Sequence, residues 1–410
     1  MATEGFRKSV RNLTLLTAAL LSQPVFAQQV FRVLPRTTAD DENPITFMRP
    51  YYAIHAAAGS SQSAPPSTAF APVQMRHAYG FDQINNQGAG QIIAIVDAYD
   101  DPNAEADLGV FDSQFGLPAC TSANGCFRKI YSNGNKPAAN ANWDVEIALD
   151  VEWAHAIAPK ATILLVEAPT NSFGNLLTGV DVAVRNGASA VSMSWTVGEF
   201  SGENSYDNHF VASGVTFLAA SGDNGTGVAY PAASPDVVGV GGTSLHLNAS
   251  GNYQSETAWS GSGGGLSAIE REPLFQAQFA IPDDPKGYRG APDVSYDGDP
   301  GTGVAIYDSV GINGYAGWFQ VGGTSAGTPQ WAALIAITNS LRAAARKANL
   351  SSTDTSLYSV GKASASDFHP ITQGTNGTCG ALCTATAGYD YVTGLGTPQA
   401  PALIAALAAR

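Results

Sequence analysis

The amino-acid sequence predicts an α/β protein with a mostly parallel central sheet and helices on both faces. Three observations carry that prediction: apolar runs of strand length recur along the chain, helical patterns separate them, and acidic residues stand at or just beyond the ends of two runs. In order, the runs are QIIAIVDA (91–98), ATILLVEA (161–168), AVSMSW (190–195), VTFLAAS (215–221) and VVGVGG (237–242). Each is continuous rather than alternating, as expected of a strand covered on both faces. The helical patterns lie near 103–115, 143–157, 175–186 and 206–213.

The chain opens with Arg7, Lys8 and Arg11, an apolar run LTLLTAALL and small residues that suit cleavage after Ala27. Residues 1–27 therefore read as a secretory signal, and the mature protein is expected outside the cytoplasm, either extracellular or periplasmic. Residues 28–70, including SSQSAPPSTAFAP, read as a linker or short pro-segment, and 71–410 as the working domain. The longest later apolar stretch, WAALIAIT (331–338), falls far short of the ~20 residues that cross a bilayer. The 34 acidic residues against 20 basic ones give a net charge of −14, which argues against nucleic acid or an anionic membrane surface as partner. With 44% hydrophobic residues the chain can bury a large core.

Four cysteines fall in two close pairs, Cys120 with Cys126 and Cys379 with Cys383. An exported chain is expected to oxidise such pairs into two small staples. Zinc is the rival reading, although the spacing lacks a paired CxxC and no histidine pattern accompanies it.

The pentapeptide VGGTS occurs at 240–244 and at 321–325, so two serines compete for any chemistry. Ser244 is followed by LHLNASGNYQ, which reads as strand and turn. Ser325 is followed by AGTPQWAALIAITNSLRAAARKA, which reads as a helix with Pro329 in its first turn. Ser325 thus stands where free amides and the helix dipole favour developing negative charge, although a serine there also serves simply as a cap.

A serine hydroxyl needs a base. The six histidines lie in no motif that offers one, whereas NWDVEIALDVEWAHAIAP places Glu146 and Asp150 four residues apart, on one face of a helix that ends before Pro159. Like charges so close raise one pKa and favour a shared proton; an ordinary solvated acidic face is the plain alternative. Asp97 ends the run QIIAIVD and Asp223 follows another run in AASGDNG. Asp223 reads either as a turn former or, if neutral, as a donor to an oxyanion. Trp195 reads as core or as an indole N–H that orients a carboxylate.

These residues resemble the sedolisins, or serine-carboxyl peptidases. The resemblance runs from about 71 to 410 and rests on EIALD (146–150), SGDNG (221–225) and GGTSAGTP (322–329), supported by VDAYDDP and GGGLSA. It implies a subtilisin-like fold and a peptidase domain over 71–410. It also implies Ser325 as nucleophile, Glu146 as general base, Asp150 as the group that holds and polarises Glu146, and Asp223 as oxyanion donor. Asp97 and Trp195 match supporting positions of the network. The implied reaction is endopeptidic hydrolysis of protein or peptide substrates with an acidic optimum. No organic cofactor and no obligatory partner chain are implied, and a monomer is expected. Substrates are expected to bind extended along SMSWT (192–196) and SGGGLS (262–267).

Two features depart from the family pattern. Only about forty residues separate Ala27 from residue 71, where a long pro-domain is usual. The family's structural calcium is bound near the C-terminus, and here Asp390, Ile371 and Gly388 match its positions while Pro370 replaces an expected Asp. A proline offers only a carbonyl, so calcium binding is expected to be weakened.

Two other functions fit parts of the sequence. GTSAG is also a G-x-S-x-G elbow, and Asp354 or Asp367 followed by His369 supplies an esterase or lipase order. A non-catalytic binding protein on the same fold is the other.

Overall fold

The computed structural model describes residue 1 and residues 29–31, 49–50, 53–56, 63–282, 286–312 and 314–410. The expected signal segment, with its basic residues and the cleavage point after Ala27, lies outside the described residues. The central sheet has eight strands, in the order Tyr253–Ala258, Val238–Leu247, Thr216–Ala220, Ala190–Met193, Ile92–Ala98, Thr162–Ala168 and Phe127–Tyr131, with Val294–Asp297 also paired to Val238–Leu247. Every pairing is parallel except that of the edge strand Tyr253–Ala258. From the first sheet strand, 92–98, the chain fills one side of the sheet and then crosses to the other. The order therefore reverses between strands 92–98 and 190–193, and such a switch point opens a crevice at the carboxyl ends of the strands.

The continuous apolar runs serve two cores at once. Ile93, Ile95, Ile163 and Leu165 face one core, and Ala94, Val96, Leu164 and Val166 face the other. Successive strand residues point to opposite faces, so a strand sandwiched between helices has no polar side to show. Helices Ala141–Ile157 and Thr324–Ala344 pack in the first core. Helix Phe173–Arg185 packs in the second, with Phe173, Phe200 and Tyr230 in mutual edge contact. Helix Ala141–Ile157 is buried from Trp143 to Ile157, on every side, and this forces its carboxylates out of water. Its amino end is capped by Asn140, whose side chain accepts from the Asn142 N–H at 3.0 Å. Among the described residues no helix is long and apolar enough to cross a membrane.

Three local expectations need correction. The pattern near 206–213 is a 3-10 helix, Glu203–Phe210, in which the Ser205 hydroxyl donates to the Gly202 carbonyl and only Glu203 and Phe210 are buried. The run 190–195 breaks at Ser194, because Trp195–Gly198 leaves the main sheet to pair with Ala229–Tyr230. Pro329 lies in the second turn of its helix, since that helix starts at Thr324. Apart from these, the stretch read as a linker or short pro-segment carries three short strands, Gln29–Phe31, Arg49–Pro50 and Ala53–Ala56. Arg49–Pro50 pairs antiparallel with Trp195 and Thr196, and Ala53–Ala56 with Gln320–Gly322. Both cysteine pairs form disulfides. Cys120, Cys126 and His155 come close together, but the disulfide consumes both thiols that zinc would need.

Candidate active site

The two serines of the duplicated pentapeptide separate cleanly. Ser244 sits within a strand and donates to Asp299 Oδ2 at 2.6 Å, a framework bond. Ser325 occupies the first turn of helix Thr324–Ala344 and is fully buried. The preceding Gly323 has φ 128°, a conformation that a side chain would strain, and this lets the strand Tyr315–Gly322 turn directly into the helix.

Glu146 and Asp150 project from helix Ala141–Ile157 towards that helix start, and both are fully buried. Burial above all, then the neighbouring charges of Asp150 and Asp97, push the Glu146 carboxyl well above its ordinary range, while the nearby Ser325 hydroxyl pulls it back down. Both Glu146 oxygens lack a hydrogen bond of normal length, and the Ser325 hydroxyl donates instead to the Ser194 carbonyl at a long 3.4 Å. The serine hydroxyl and the glutamate carboxyl thus lie close together with no hydrogen bond of normal length closed between them. Asp150 is raised by burial and by Asp97, and it accepts from Ser194 Oγ at 2.9 Å. Asp97, at the end of the strand next to the switch point, is pushed up by burial to about 8.

Asp223 reaches the same helix start from the other side. Its Oδ1 accepts from the Thr324 N–H at 2.8 Å and from Thr324 Oγ1 at 2.9 Å, while Thr324 Oγ1 in turn accepts from the Gly222 N–H at 3.0 Å. The loop 221–225 is pressed against 262–264, where a Cβ on Gly263 would lie 2.1 Å from the Ser221 carbonyl and one on Gly264 2.0 Å from the Tyr391 carbonyl, so these two glycines are required by close approach. The charge of Asp223 also reaches Glu146. Ser325, Glu146, Asp150, Asp97 and Asp223 therefore share one buried locus.

Trp195 is a correction: its indole N–H donates to the Val96 carbonyl at 2.7 Å rather than to a carboxylate. It braces the strand that carries Asp97. Two contributors escaped the sequence reading. Ser194 links Asp150 to Ser325 through its hydroxyl and its carbonyl, and Thr324 ties Asp223 to the helix. Their only sequence signals are their places, at the end of an apolar run and directly before the serine.

The esterase arrangement does not form. His369 stacks on Tyr253 with ring centroids 3.8 Å apart, and Asp367 accepts from Ser364 Oγ at 2.9 Å. Asp354 lines a cavity of about 510 Å³ with Phe210, Thr216 and Phe275, beside the start of strand 216–220 rather than its carboxyl end.

The calcium positions do not fit the ion. Asp390 Oδ1 accepts from the Val392 and Thr393 N–H groups at 2.8 Å each, and Oδ2 from Thr393 Oγ1 at 2.8 Å and the Thr386 N–H at 3.3 Å. Four donors fill the carboxylate's four acceptor sites. Pro370 is exposed, Ile371 is buried, and Gly388, at φ 90°, serves a turn.

The Subtilase family profile matches residues 133–410. A kumamolisin from Bacillus sp. (strain MN-32) is 33% identical, over 90% of this chain and 69% of its own length. A sedolisin from Pseudomonas sp. (strain 101) is 28% identical, over 71% of this chain and 53% of its own length. Among solved structures, a Pseudomonas sedolisin, a serine-carboxyl proteinase complexed with two molecules of pseudo-iodotyrostatin, superposes with a TM-score of 0.71. It has 26% identity and covers 84% of this chain and 98% of that one. The strand order, the buried acids at a serine-bearing helix start and these similarities agree: the chain belongs to the sedolisin family of serine-type peptidases, on the subtilisin-like fold.

Proposed function

We propose that this chain is a secreted endopeptidase that cleaves peptide bonds on the acid side of neutrality with Ser325, Glu146, Asp150 and Asp223. The observation that carries the reading is the burial of Glu146 beside Ser325, with Asp150 and Asp97 behind it and no imidazole among the neighbours that perturb it. In the acylation step Ser325 Oγ attacks the carbonyl carbon and its proton passes to Glu146. Asp150 and Asp97 spread that proton's charge over a shared network. The oxygen that becomes negative lies towards the helix amino end, where the backbone dipole and a neutral Asp223 stabilise it. Since Thr324 already donates twice to Asp223 Oδ1, the proton of a neutral Asp223 belongs on Oδ2. Glu146 then returns its proton to the leaving amine, and water releases the acyl group by the same steps.

Burial modifies the expected pH profile. A base raised above the reference glutamate value of about 4.3 ionises later, so the rising limb of the activity profile is displaced towards higher pH than for a free glutamate. A profile that climbs steadily to pH 8 or beyond would reject a carboxylate base.

The substrate lies extended on Trp195–Gly198. The antiparallel pairing of Arg49–Pro50 with Trp195 and Thr196 supports this, because an extended segment fits that edge. A substrate taking the same edge requires residues 49–50 to leave it. The direct test is casein cleavage between pH 4 and 6 by the full chain and by Ser325→Ala; equal activity in the two proteins sinks the proposal.

A further inference from the structure

The strands Trp195–Gly198 and Gly265–Arg271 are expected to flank the substrate, and four carboxyl groups gather where their ends meet. Glu199, directly after the first strand, ties the two together: it accepts from Ser267 Oγ and, at 3.0 Å, from the Ala268 N–H. Behind it Glu203 is fully buried and Glu270 is 4% exposed. Glu203 Oε2 accepts from the Phe200 N–H at 2.7 Å and the Glu203 side chain is within hydrogen-bond reach of the Glu199 carboxyl, but neither Glu203 Oε1 nor Glu270 Oε1 receives an N–H or hydroxyl donor although both are buried. Asp207, the fourth, holds the Tyr230 hydroxyl at 3.0 Å.

The remaining charged groups facing this cluster are Asp236 and Arg289. Arg289 is already committed, to Asp293 at 2.6 and 2.9 Å and to the carbonyls of Ser234, Val237 and Gly290. Among the described residues no lysine or arginine forms an ion pair with Glu199, Glu203, Asp207 or Glu270. Two buried acceptors without donors, inside a group of acids without a cation, are costly in a folded chain unless something supplies both. The half-buried Glu199 and the exposed Gly198 give the cluster its opening.

We propose that Glu199, Glu203 and Glu270 form a recognition pocket for a lysine or arginine side chain of the substrate. The inference rests on the peptidase reading above and adds the chemical class of substrate. An ammonium or guanidinium group brings several donors and a positive charge, and a guanidinium matches carboxylates in pairs. The strand runs on from Ser194, whose carbonyl holds the Ser325 hydroxyl, at about 3.3 Å per residue. The preferred basic residue therefore stands at one fixed position, within about five residues of the scissile bond. Empty, the pocket keeps protons: burial and the neighbouring acids push Glu203 up to about 8, and Glu270, with Arg289 opposing, to about 7. The incoming cation competes with those protons, so discrimination grows as pH rises.

The test uses the full chain and matched peptides that differ only in arginine against its neutral isostere citrulline, at the position that a peptide library marks as selective. The expected ratio of kcat/KM is about 10 to 100 near pH 6, expressed mainly in KM, and it shrinks towards pH 4. Glu203→Gln and Glu270→Gln are expected to bring the ratio close to one. A wild-type ratio near one at pH 6, or a preference that survives in folded Glu203→Gln and Glu270→Gln together, overturns the pocket and leaves peptide hydrolysis standing. Absence of any cleavage sensitive to Ser325→Ala overturns the peptidase reading instead.

Discussion

Two buried carboxylate sites in this molecule are solved in opposite ways. At the switch point, Glu146, Asp150 and Asp97 stand together with few donors, and all three are pushed towards their neutral forms. In the C-terminal loop, Asp390 is surrounded by four donors, and its pKa rises only to about 6. Burial acts on both, but hydrogen bonds offset it at Asp390 and hardly do so at Glu146. The difference teaches what donors do to a buried acid: a carboxyl whose lone pairs are free keeps its proton and can exchange it, while one whose lone pairs are taken fixes a loop.

The sharpest way to break that contrast is at the reacting atoms. Ser325→Ala should lower hydrolysis by at least about 10³-fold while leaving the thermal unfolding curve in place. Glu146→Gln should cost about 10²- to 10⁴-fold in kcat with no loss of stability, because an amide removes a buried acid that few donors support. If Glu146→Gln instead unfolded the protein more easily and kept its activity, the acid would be structural and the contrast would be void.

Asp390→Ala should do the reverse. Three of its four hydrogen bonds come from backbone N–H groups and one from the Thr393 hydroxyl, so unfolding free energy should fall by about 2–4 kcal/mol with kcat unchanged at 25 °C. Denaturant titration reads the first quantity and steady-state kinetics the second.

A smaller effect follows from pH. Folded values near 8 for Asp97 and Glu167 and near 7 for Asp101 lie above the unfolded reference near 4. The stability these groups contribute is fully present below about pH 4 and is lost as pH rises through 7 and 8. His155 and His369, lowered by burial to about 4, act the other way, and their contribution is lost as pH falls from about 6.5 towards 4. The carboxyls dominate between pH 5 and 8, so Tm should decline across that range; a Tm that rises would show that these acids are ionised in the folded chain. The smallest expected effect is that of a chelator. With Asp390 saturated by protein donors and Pro370 in place of a carboxylate, EDTA should move Tm by less than about 1 °C, and a larger drop would mean that an ion displaces those donors.

Most of the fold was legible because a sheet covered on both faces writes itself as continuous apolar runs, and helix Ala141–Ile157 ended where Pro159 demanded. The 3-10 segment Glu203–Phe210 was misread because few of its residues are buried and the Ser205 hydroxyl bonds the backbone locally, a competition that periodicity does not register. Trp195 was left open between core and an indole that orients a carboxylate, because residue type and place do not tell where an indole points; it is buried in the core and donates to the Val96 carbonyl. Ser194 was missed for a related reason: a hydroxyl at a strand end has no signature until the helix bearing Asp150 packs over it.

By itself the sequence determined the strand and helix rhythm, the helix start that carries Ser325, and the placement of Glu146 and Asp150 on one face. Each of these follows from backbone geometry over a few neighbouring residues. Only the tertiary structure decided that Asp97 and Asp223 converge on that helix start, that Asp390 is saturated, and that Glu199, Glu203 and Glu270 meet without an ion-paired lysine or arginine among the described residues. Those facts depend on distances between segments tens to hundreds of residues apart, and on how much water packing leaves around each charge.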